Sequence, residues 1–318
     1  VGYLVGEENR GLQCMFTMMN NARLAVGHQG VAVGERAYQQ AVAYAQDRVQ
    51  GKVAAVEGRA SIIHHPDVKR MLMQMRAHTE AGRAMSFYAI AAEDRSTHHP
   101  DESVRAESAR LVEIMTPLVK GWCTEVAMES TSLGVQVHGG MGFIEETGAA
   151  QHMRDARILP IYEGTNGIQA LDFIGRKCLR DGGEGLSALI AEMAKTASNT
   201  GSTSQIEGLL NSLEVAITQC REALDLVLAS PDQSAYTAYG FMMLFGNSVA
   251  YWLMVKLAIA AQKPIDQGSQ ERFYKQKIAT TEFFSAQLLT RNYSYLASIA
   301  GGASYLKAID NNDFTTLQ

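Results

Sequence analysis

Apolar residues recur at helical spacing along most of the chain. The first long segment places Val31, Tyr38, Val42, Ala45 and Val49 at steps of three, four and seven residues. Such steps bring side chains to one face of an α-helix, where they can pack against a core. Only 6 prolines interrupt the 318 residues, so little in the sequence breaks this pattern. We therefore predict an all-α fold.

Three further segments carry an apolar stripe of the same kind. In chain order, the stripes consist of Val68, Met71, Leu72, Met75, Met85 and Ala89; of Val104, Leu111, Met115, Leu118, Trp122, Val126 and Leu133; and of Ile168, Leu171, Ile174 and Cys178. Pro117 lies inside the third segment and predicts a kink or a break, because proline lacks the amide hydrogen that a helix interior needs. Four amphipathic helices joined by short polar connections predict a four-helix up-and-down bundle.

A glycine-rich stretch, Asp181–Gly185, interrupts the helical pattern and indicates a domain boundary. Beyond it, helices are predicted near residues 206–229, 234–262 and 270–300. Ser204 and Glu207 have the spacing of a capping box, in which two side chains bond the free amide groups at a helix start. We therefore predict a helical bundle over residues 17–184 and a second helical domain over residues 185–318.

Composition and charge narrow the function classes. The hydrophobic fraction of 47% is typical of a packed globular protein, and the net charge of -5 gives no overall basic surface for nucleic acid. No signal segment or apolar run of membrane-spanning length is evident, so no membrane partner is expected. The four cysteines lie far apart without a CxxC pair and predict reduced core thiols in a cytoplasmic protein; they are Cys14, Cys123, Cys178 and Cys220.

Two histidine pairs, His64-His65 and His98-His99, each precede a Pro-Asp dipeptide. Adjacent histidines lack the i,i+4 spacing that brings two imidazoles to one metal on a helix. We interpret them as loop residues and predict no metal site.

The stretch Gln136–Phe143 reads QVHGGMGF. Its three glycines remove Cβ atoms from a turn, so that another molecule can come close or backbone amides can face a phosphate. The spacing is not that of a dinucleotide-binding loop, and taken alone the stretch favours a tightly packed turn at a helix end.

Glu163 stands between an aromatic residue and a glycine, in the stretch Ile161–Gly167, which reads IYEGTNG. Thr165 and Asn166 favour a helix start, so the Glu163 carboxylate could simply complement the helix dipole, worth about 0.3–1 kcal/mol. The alternative is a carboxylate base in a semi-apolar cleft. Taken alone, these residues favour the first interpretation.

Three motifs together resemble the signature of the acyl-CoA dehydrogenase family. They are the QVHGGMGF stretch, MRDAR at Met153–Arg157 and IYEGT at Ile161–Thr165, in the order and spacing of that family. The resemblance covers roughly residues 1–180. The remainder resembles the extra helical domain of a longer subgroup, which includes methylmercaptopropionyl-CoA dehydrogenases.

The resemblance implies FAD-dependent oxidation of an acyl-CoA thioester to a trans-2-enoyl-CoA, with electrons passed to electron-transferring flavoprotein. Glu163 matches the base that removes the α-proton. Tyr162 and Gly164 match substrate-binding positions. Thr165 and Asn166 match positions at the cofactor. Arg154 and Asp155 are interpreted instead as a structural ion-pair cluster.

Earlier positions also match the family. Arg23 corresponds to an arginine that lines the substrate cleft, and Asn20 stands where many relatives carry aspartate, so both are candidate substrate-binding residues. Arg48 corresponds to an arginine that binds the FAD pyrophosphate, a task that suits its planar guanidinium. Gln136, Gly139 and Gly140 correspond to a loop that contacts the FAD of a neighbouring subunit. The resemblance therefore implies a homodimer or tetramer.

Relatives carry an N-terminal helical domain and a middle β-domain before this segment. Val1–Gly6 reads as a short strand ending in a turn, so residues 1–16 are predicted as the end of that β-domain and a linker. The isolated chain is then expected to be an inactive fragment that binds FAD poorly. Two alternatives stay open: an acyl-CoA oxidase, and a non-enzymatic helical interaction protein or DNA-binding relative, although the residues after Leu186 carry no dense Lys/Arg cluster.

Overall fold

The computed structural model describes residues 1–54, 56–198 and 203–314 and confirms the all-α prediction. The α-helices of the described residues are α1 (Gly11–Asp47), α2 (Pro66–His98), α3 (Glu102–His138), α4 (Gly140–Phe143), α5 (Ala149–Arg157), α6 (Asn166–Arg176), α7 (Glu184–Ala197), α8 (Ser204–Ala229), α9 (Ser234–Asp266), α10 (Arg272–Phe283), α11 (Arg291–Ala300) and α12 (Ser304–Lys307).

The strand predicted at Val1–Gly6 is wrong. These residues are exposed and irregular, and the β pairing in the described part of the chain is one isolated bridge between Val49 and Ser61. A strand is stable only beside a partner strand, and no described segment lies alongside these residues to pair with them.

The first three helices, α1, α2 and α3, pack against one another. Helices α1 and α3 run in the same direction, since Gly27 lies beside Val119 and Gly30 beside Cys123. Two glycines on α1 make this close packing possible. A Cβ on Gly27 would lie 2.7 Å from the Val119 carbonyl oxygen, and one on Gly30 would lie 2.9 Å from that of Cys123. The glycines therefore let the α1 backbone rest directly on α3. The second helix, α2, runs in the opposite direction and packs against both.

Of the kink or break predicted at Pro117, the break is wrong, because α3 continues through this residue as one helix of 37 residues. The kink stays a prediction. Pro117 is buried, and Met115 and Leu118 beside it are fully buried. Tertiary packing on both sides outweighs the loss of one backbone hydrogen bond.

The fourth predicted helix is α6, which runs antiparallel to α3 and packs between α3 and α9. Phe173 of α6 meets Phe241 and Phe245 of α9, with ring centroids 5.5 and 5.6 Å apart. The bundle and the helices after it therefore share one hydrophobic core. The division into domains 17–184 and 185–318 stays a prediction.

Helix α9 is long and apolar enough to cross a membrane, by length and composition, which the sequence analysis did not recognise. It lies inside the protein instead: 83% of its most apolar window is buried. Contacts with α3, α6, α8 and α10 explain why it is apolar on every side.

Two local predictions after residue 198 need correction. The cap of α8 is Thr203, whose hydroxyl accepts from the Ile206 amide at 3.5 Å, so the predicted cap at Ser204 is wrong by one residue. Residues 199–202 of the predicted polar connection lie outside the described residues. The helix predicted over 270–300 is divided, because a π-helical turn at Phe284–Leu288 separates α10 from α11.

All four cysteines are free thiols, and three of them are buried. Burial raises the pKa of Cys178 and Cys220 to about 12, as expected for unreactive core thiols. The core prediction is wrong for Cys14, which is exposed. It lies in the first turns of α1, where the described neighbours leave the helix uncovered.

Candidate functional site

Glu163 lies in the loop that joins α5 to α6. Thr165 is the N-cap of α6, and its hydroxyl accepts from the Ile168 amide at 3.3 Å. The backbone amide of Asn166 donates to the Pro160 carbonyl oxygen at 2.9 Å and so joins the two ends of the loop. The prediction that Glu163 directly precedes a helix start is confirmed.

The backbone at Glu163 is strained. Its φ of 57° lies in the left-handed region, which among the described non-glycine residues is otherwise occupied by Asn9 alone. Asparagine tolerates this conformation, whereas glutamate pays a steric penalty of about 1 kcal/mol or more. Strain of this kind persists where the surrounding structure fixes it, and it clusters at functional sites.

Gly164 follows with a φ of 85°, and a Cβ there would lie 2.9 Å from Nε2 of Gln169. The glycine is therefore required by the conformation and crowding of the loop itself. Its predicted contact with substrate stays a prediction.

Two side chains donate hydrogen bonds to the backbone of the Glu163 loop. Arg23 on α1 donates from Nε to the Glu163 carbonyl oxygen at 3.3 Å. Gln169 on α6 donates from Nε2 to the carbonyl oxygens of Glu163 and Gly164, each at 3.3 Å. Arg23 is 8% exposed and Gln169 is fully buried, so both donors are fixed by packing. They orient the backbone and leave the Glu163 carboxylate free.

The Glu163 carboxylate is partly buried, and its Oε2 atom is inaccessible to solvent without a hydrogen-bond partner in the described protein. The neighbouring Tyr162 donates its hydroxyl to Oε1 of Gln29 on α1. A semi-enclosed carboxylate oxygen with free lone pairs can accept a proton from a bound molecule.

A buried polar network lies behind the loop. Lys120 on α3 donates from Nζ to Oδ1 of Asn166 at 2.9 Å. The Asn166 amide nitrogen donates to Oε1 of Glu125 at 2.8 Å and to Oγ1 of Thr124 at 2.9 Å. Burial lowers the pKa of Lys120 to about 8; Glu125 and Glu163 oppose this shift and Arg23 adds to it.

Asn166 is also a predicted cofactor-binding residue. It is 4% exposed, and its side-chain amide already bonds Lys120, Thr124 and Glu125. Its contact with the cofactor stays a prediction. Thr165 beside it is exposed, so its predicted contact with the cofactor stays a prediction.

Sequence reasoning missed Lys120, Glu125, Gln169 and Gln29. Lys120 lies two residues from both Leu118 and Trp122, on the face of α3 opposite the apolar stripe, where a charged residue is ordinary. Glu125 and Gln29 bond partners more than 40 residues away along the chain. Gln169 bonds the loop directly before its own helix, a contact that no sequence pattern marks.

The predicted cofactor residues Arg48 and Gln136 do not lie beside Glu163. Arg48 is the exposed residue that follows α1, and Gln136 is exposed in the last turn of α3. The two helix ends are neighbours, since Tyr44 stacks on His138 with ring centroids 4.4 Å apart. At about 1.5 Å per residue, Arg48 lies roughly 37 Å along α1 from Arg23.

Gly139 and Gly140 lie at the same end. Gly139 has a φ of 61°, and a Cβ on either glycine would meet no other atom within 4 Å. Asn20 does not lie at this end of the bundle. It is exposed on α1, three residues before Arg23 and so on the same side of that helix.

We call the end of the bundle that contains Arg48, Gln136, Gly139 and Gly140 the distal end. A groove of about 620 Å³ lies next to it, and none of the residues that line the groove belongs to the Glu163 loop. Phe143, which is 82% exposed, is one of its walls. Arg154 at its rim forms a two-pronged ion pair with Glu145, at 2.7 and 2.6 Å. Arg154 thus has the structural ion-pair role that the sequence predicted, with Glu145 as its partner.

Comparison with known proteins gives two family matches. A family model described as the acyl-CoA dehydrogenase C-terminal domain matches residues 9–179. A second, described as acetyl-CoA dehydrogenase C-terminal like, matches residues 189–310. The 3-methylmercaptopropionyl-CoA dehydrogenase of Ruegeria pomeroyi is 49% identical over 300 residues, covering 91% of this chain and 50% of that protein.

Two solved structures share the fold. An acyl-CoA dehydrogenase of Bacillus anthracis complexed with FAD has a TM-score of 0.71 and 24% identity, covering 97% of this chain and 52% of that chain. Caenorhabditis elegans ACDH-11 in complex with C11-CoA has a TM-score of 0.76 and 18% identity, covering 98% and 49%. The chain spans about half the length of the proteins it matches.

Proposed function

The chain belongs to the acyl-CoA dehydrogenase family, and from this premise we propose that the protein containing it oxidises an acyl-CoA thioester to a trans-2-enoyl-CoA, with Glu163 as the base. The observation that carries the proposal is the Glu163 loop: a strained backbone, held by Arg23 and Gln169, presents a partly buried carboxylate with an unpaired oxygen.

Each residue of the loop has a part in this reaction. Glu163 accepts the α-proton, and its position is fixed by the donors to its own carbonyl oxygen. The partly buried setting keeps water away from the carboxylate and strengthens its interaction with the substrate proton. Tyr162 and Gly164 line the substrate side, and Arg23 supports the loop beneath them.

FAD fits the distal residues. An exposed arginine at a helix end suits a pyrophosphate, and Gly139 and Gly140 leave open space where another molecule can approach the backbone. When bound, FAD supplies the acceptor for the β-hydride, and we propose electron-transferring flavoprotein as the partner that takes the two electrons. Arg48 and Gln136 would hold the phosphates and the adjoining part of the cofactor.

The distance between the two groups of residues favours a homo-oligomer. Arg48 lies roughly 37 Å along α1 from Arg23, so the distal residues of one chain are remote from its own Glu163. We propose that they contact the FAD of a neighbouring subunit. The exposed Phe143 and the apolar groove beside it offer a surface for that neighbour.

The relatives suggest the substrate class. One is named for a 3-methylmercaptopropionyl thioester and another was crystallised with C11-CoA. We propose an acyl-CoA substrate without assigning its chain length.

The test is reduction of bound flavin by a panel of acyl-CoAs, using the full-length protein and its Glu163→Gln variant. The substitution nearly preserves shape and removes the base. Loss of general-base catalysis lowers the rate constant of flavin bleaching about 100- to 10,000-fold, while FAD stays bound.

Glu214→Gln, at an exposed carboxylate on α8, is the matched control and should bleach at the wild-type rate. Equal bleaching by Glu163→Gln would remove Glu163 from the mechanism. Peroxide release without an electron-transfer partner would favour the acyl-CoA oxidase alternative. A wild-type protein that no acyl-CoA bleaches would contradict the proposed activity and favour a non-enzymatic role.

A further inference from the structure

The polar network behind the Glu163 loop is more completely buried than the loop itself. Lys120 and Thr124 are fully buried, and Asn166 is 4% exposed. Burying a lysine is unfavourable unless its ammonium group is hydrogen-bonded and balanced by charge. Retaining such a lysine at the centre of α3, among apolar neighbours, indicates that it has a specific task.

Asn166 connects that lysine to the loop. Its backbone amide closes the loop on Pro160, and its side chain joins the loop to α3 through Lys120, Thr124 and Glu125. Asn166 is three residues from Glu163, and the intervening Gly164 is the most permissive position for backbone motion. The asparagine side chain therefore joins the end of the loop to α3, in addition to the bonds that Arg23 and Gln169 make to the loop backbone.

We propose that Lys120 and Asn166 are positioning residues for Glu163, the buried pair fixing residues 160–166 against α3 so that the carboxylate is held in one place. This inference rests on the proposed function for its catalytic meaning. The positioning itself is a property of the chain and can be tested without turnover.

Helix α9, beyond the glycine-rich stretch Asp181–Gly185, also contacts this network. Tyr239 on α9 lies beside the Glu125 carboxylate; burial and the charge of Glu125 both raise the pKa of its hydroxyl. Glu125 in turn accepts from Asn166. The helices after residue 184 thus reach the loop through Tyr239 and Glu125, in addition to the packing of α6 on α9.

The first test is amide hydrogen exchange on the full-length protein. Asn166→Ala and Lys120→Met should each accelerate exchange of the backbone amide at position 166 at least about tenfold. The reason is that the loop opens more often when its anchor is removed. Lys177→Met on the neighbouring turn after α6 removes an equal charge from a peripheral pair with Glu113 and should leave this amide unchanged. Unchanged protection in both network variants would overturn the proposal, whatever the activity.

The second test is flavin bleaching by an acyl-CoA that reduces the wild type, followed over a series of substrate concentrations. Asn166→Ala and Lys120→Met should each lower the maximal rate constant about 10- to 100-fold, with the substrate midpoint changed less than about threefold. Lys177→Met should keep the wild-type rate constant.

A full rate in both Asn166→Ala and Lys120→Met would overturn the positioning role. If Lys120→Met does not fold, Asn166→Ala alone decides the comparison. Faster exchange in a protein that no acyl-CoA reduces would support the positioning and contradict the proposed activity, so the two failures are distinguishable.

Discussion

The three glycines of the stretch Gln136–Phe143 differ in what their surroundings require of them. Gly139 adopts a left-handed φ of 61°. Gly142 is buried, and a Cβ there would lie 2.2 Å from the Val135 carbonyl oxygen. Gly140 has neither constraint, since a Cβ there would meet open space. A pattern that looks uniform in the sequence therefore combines conformational strain, tight packing and free space.

This difference predicts opposite effects of two equal substitutions. Gly142→Ala should lower the free energy of unfolding by about 1–3 kcal/mol, because the added methyl group overlaps backbone that cannot retreat. Gly140→Ala should change it by less than about 0.5 kcal/mol. Urea unfolding of both variants measures the two values, and similar destabilisation by both would contradict the packing described for Gly142.

At the scale of elements, the contact between α2 and α3 contains a buried histidine. His78 on α2 is 3% exposed, with Nδ1 at 3.2 Å from Oγ of Ser130 and Nε2 at 3.7 Å from the Glu129 carboxylate. Burial lowers the pKa of His78 to about 4; Glu129 opposes the shift, and Arg291 adds to it. The helix contact is thus built around a neutral imidazole.

The pH dependence of stability follows from this shift. Between the unfolded value of 6.5 and the folded value of about 4, the unfolded chain binds more protons at His78 than the folded chain does. The free energy of unfolding therefore decreases as the pH falls through that window. Between pH 7 and pH 5 the wild type should lose about 2 kcal/mol more than His78→Gln does.

Urea unfolding at the two pH values measures this difference. His98→Gln, at the exposed last residue of the same helix, is the control and should keep the wild-type pH dependence. Equal pH dependence in His78→Gln and the wild type would show that the imidazole is accessible to protons in the folded chain.

At the scale of the whole molecule, one core spans the bundle and the helices that follow it. Trp122 on α3 is fully buried and donates its indole N–H to Asn247 on α9 at 2.8 Å. Arg291 on α11 forms a two-pronged ion pair with Glu129 on α3, at 2.7 and 2.6 Å. Because apolar and polar contacts both cross between the two parts, neither part retains its core when the other unfolds.

We therefore expect the chain to unfold in one cooperative step. The two tryptophans report on different parts: Trp122→Phe leaves Trp252 on α9, and Trp252→Phe leaves Trp122 on α3. In each variant the fluorescence midpoint should coincide with the midpoint from far-ultraviolet circular dichroism, which follows all helices. Separate midpoints in either variant would indicate that the two parts unfold independently.

The sequence by itself determined the all-α class, the three long helices and the position of Glu163 just before α6. These features depend on local periodicity and capping, which a short window of residues contains. Where local rules were wrong, as at Pro117 and Ser204, packing or a neighbouring cap residue decided the outcome. The strand expected at Val1–Gly6 had no described partner to pair with.

Only the tertiary structure decided how the site is divided and how the loop is held. The separation of Arg48 and Gln136 from Glu163 follows from the directions of α1 and α3, which no motif contains. The bond between Lys120 and Asn166 joins positions 46 residues apart. Such a contact exists once helices have packed, and its strength comes from the burial that packing creates.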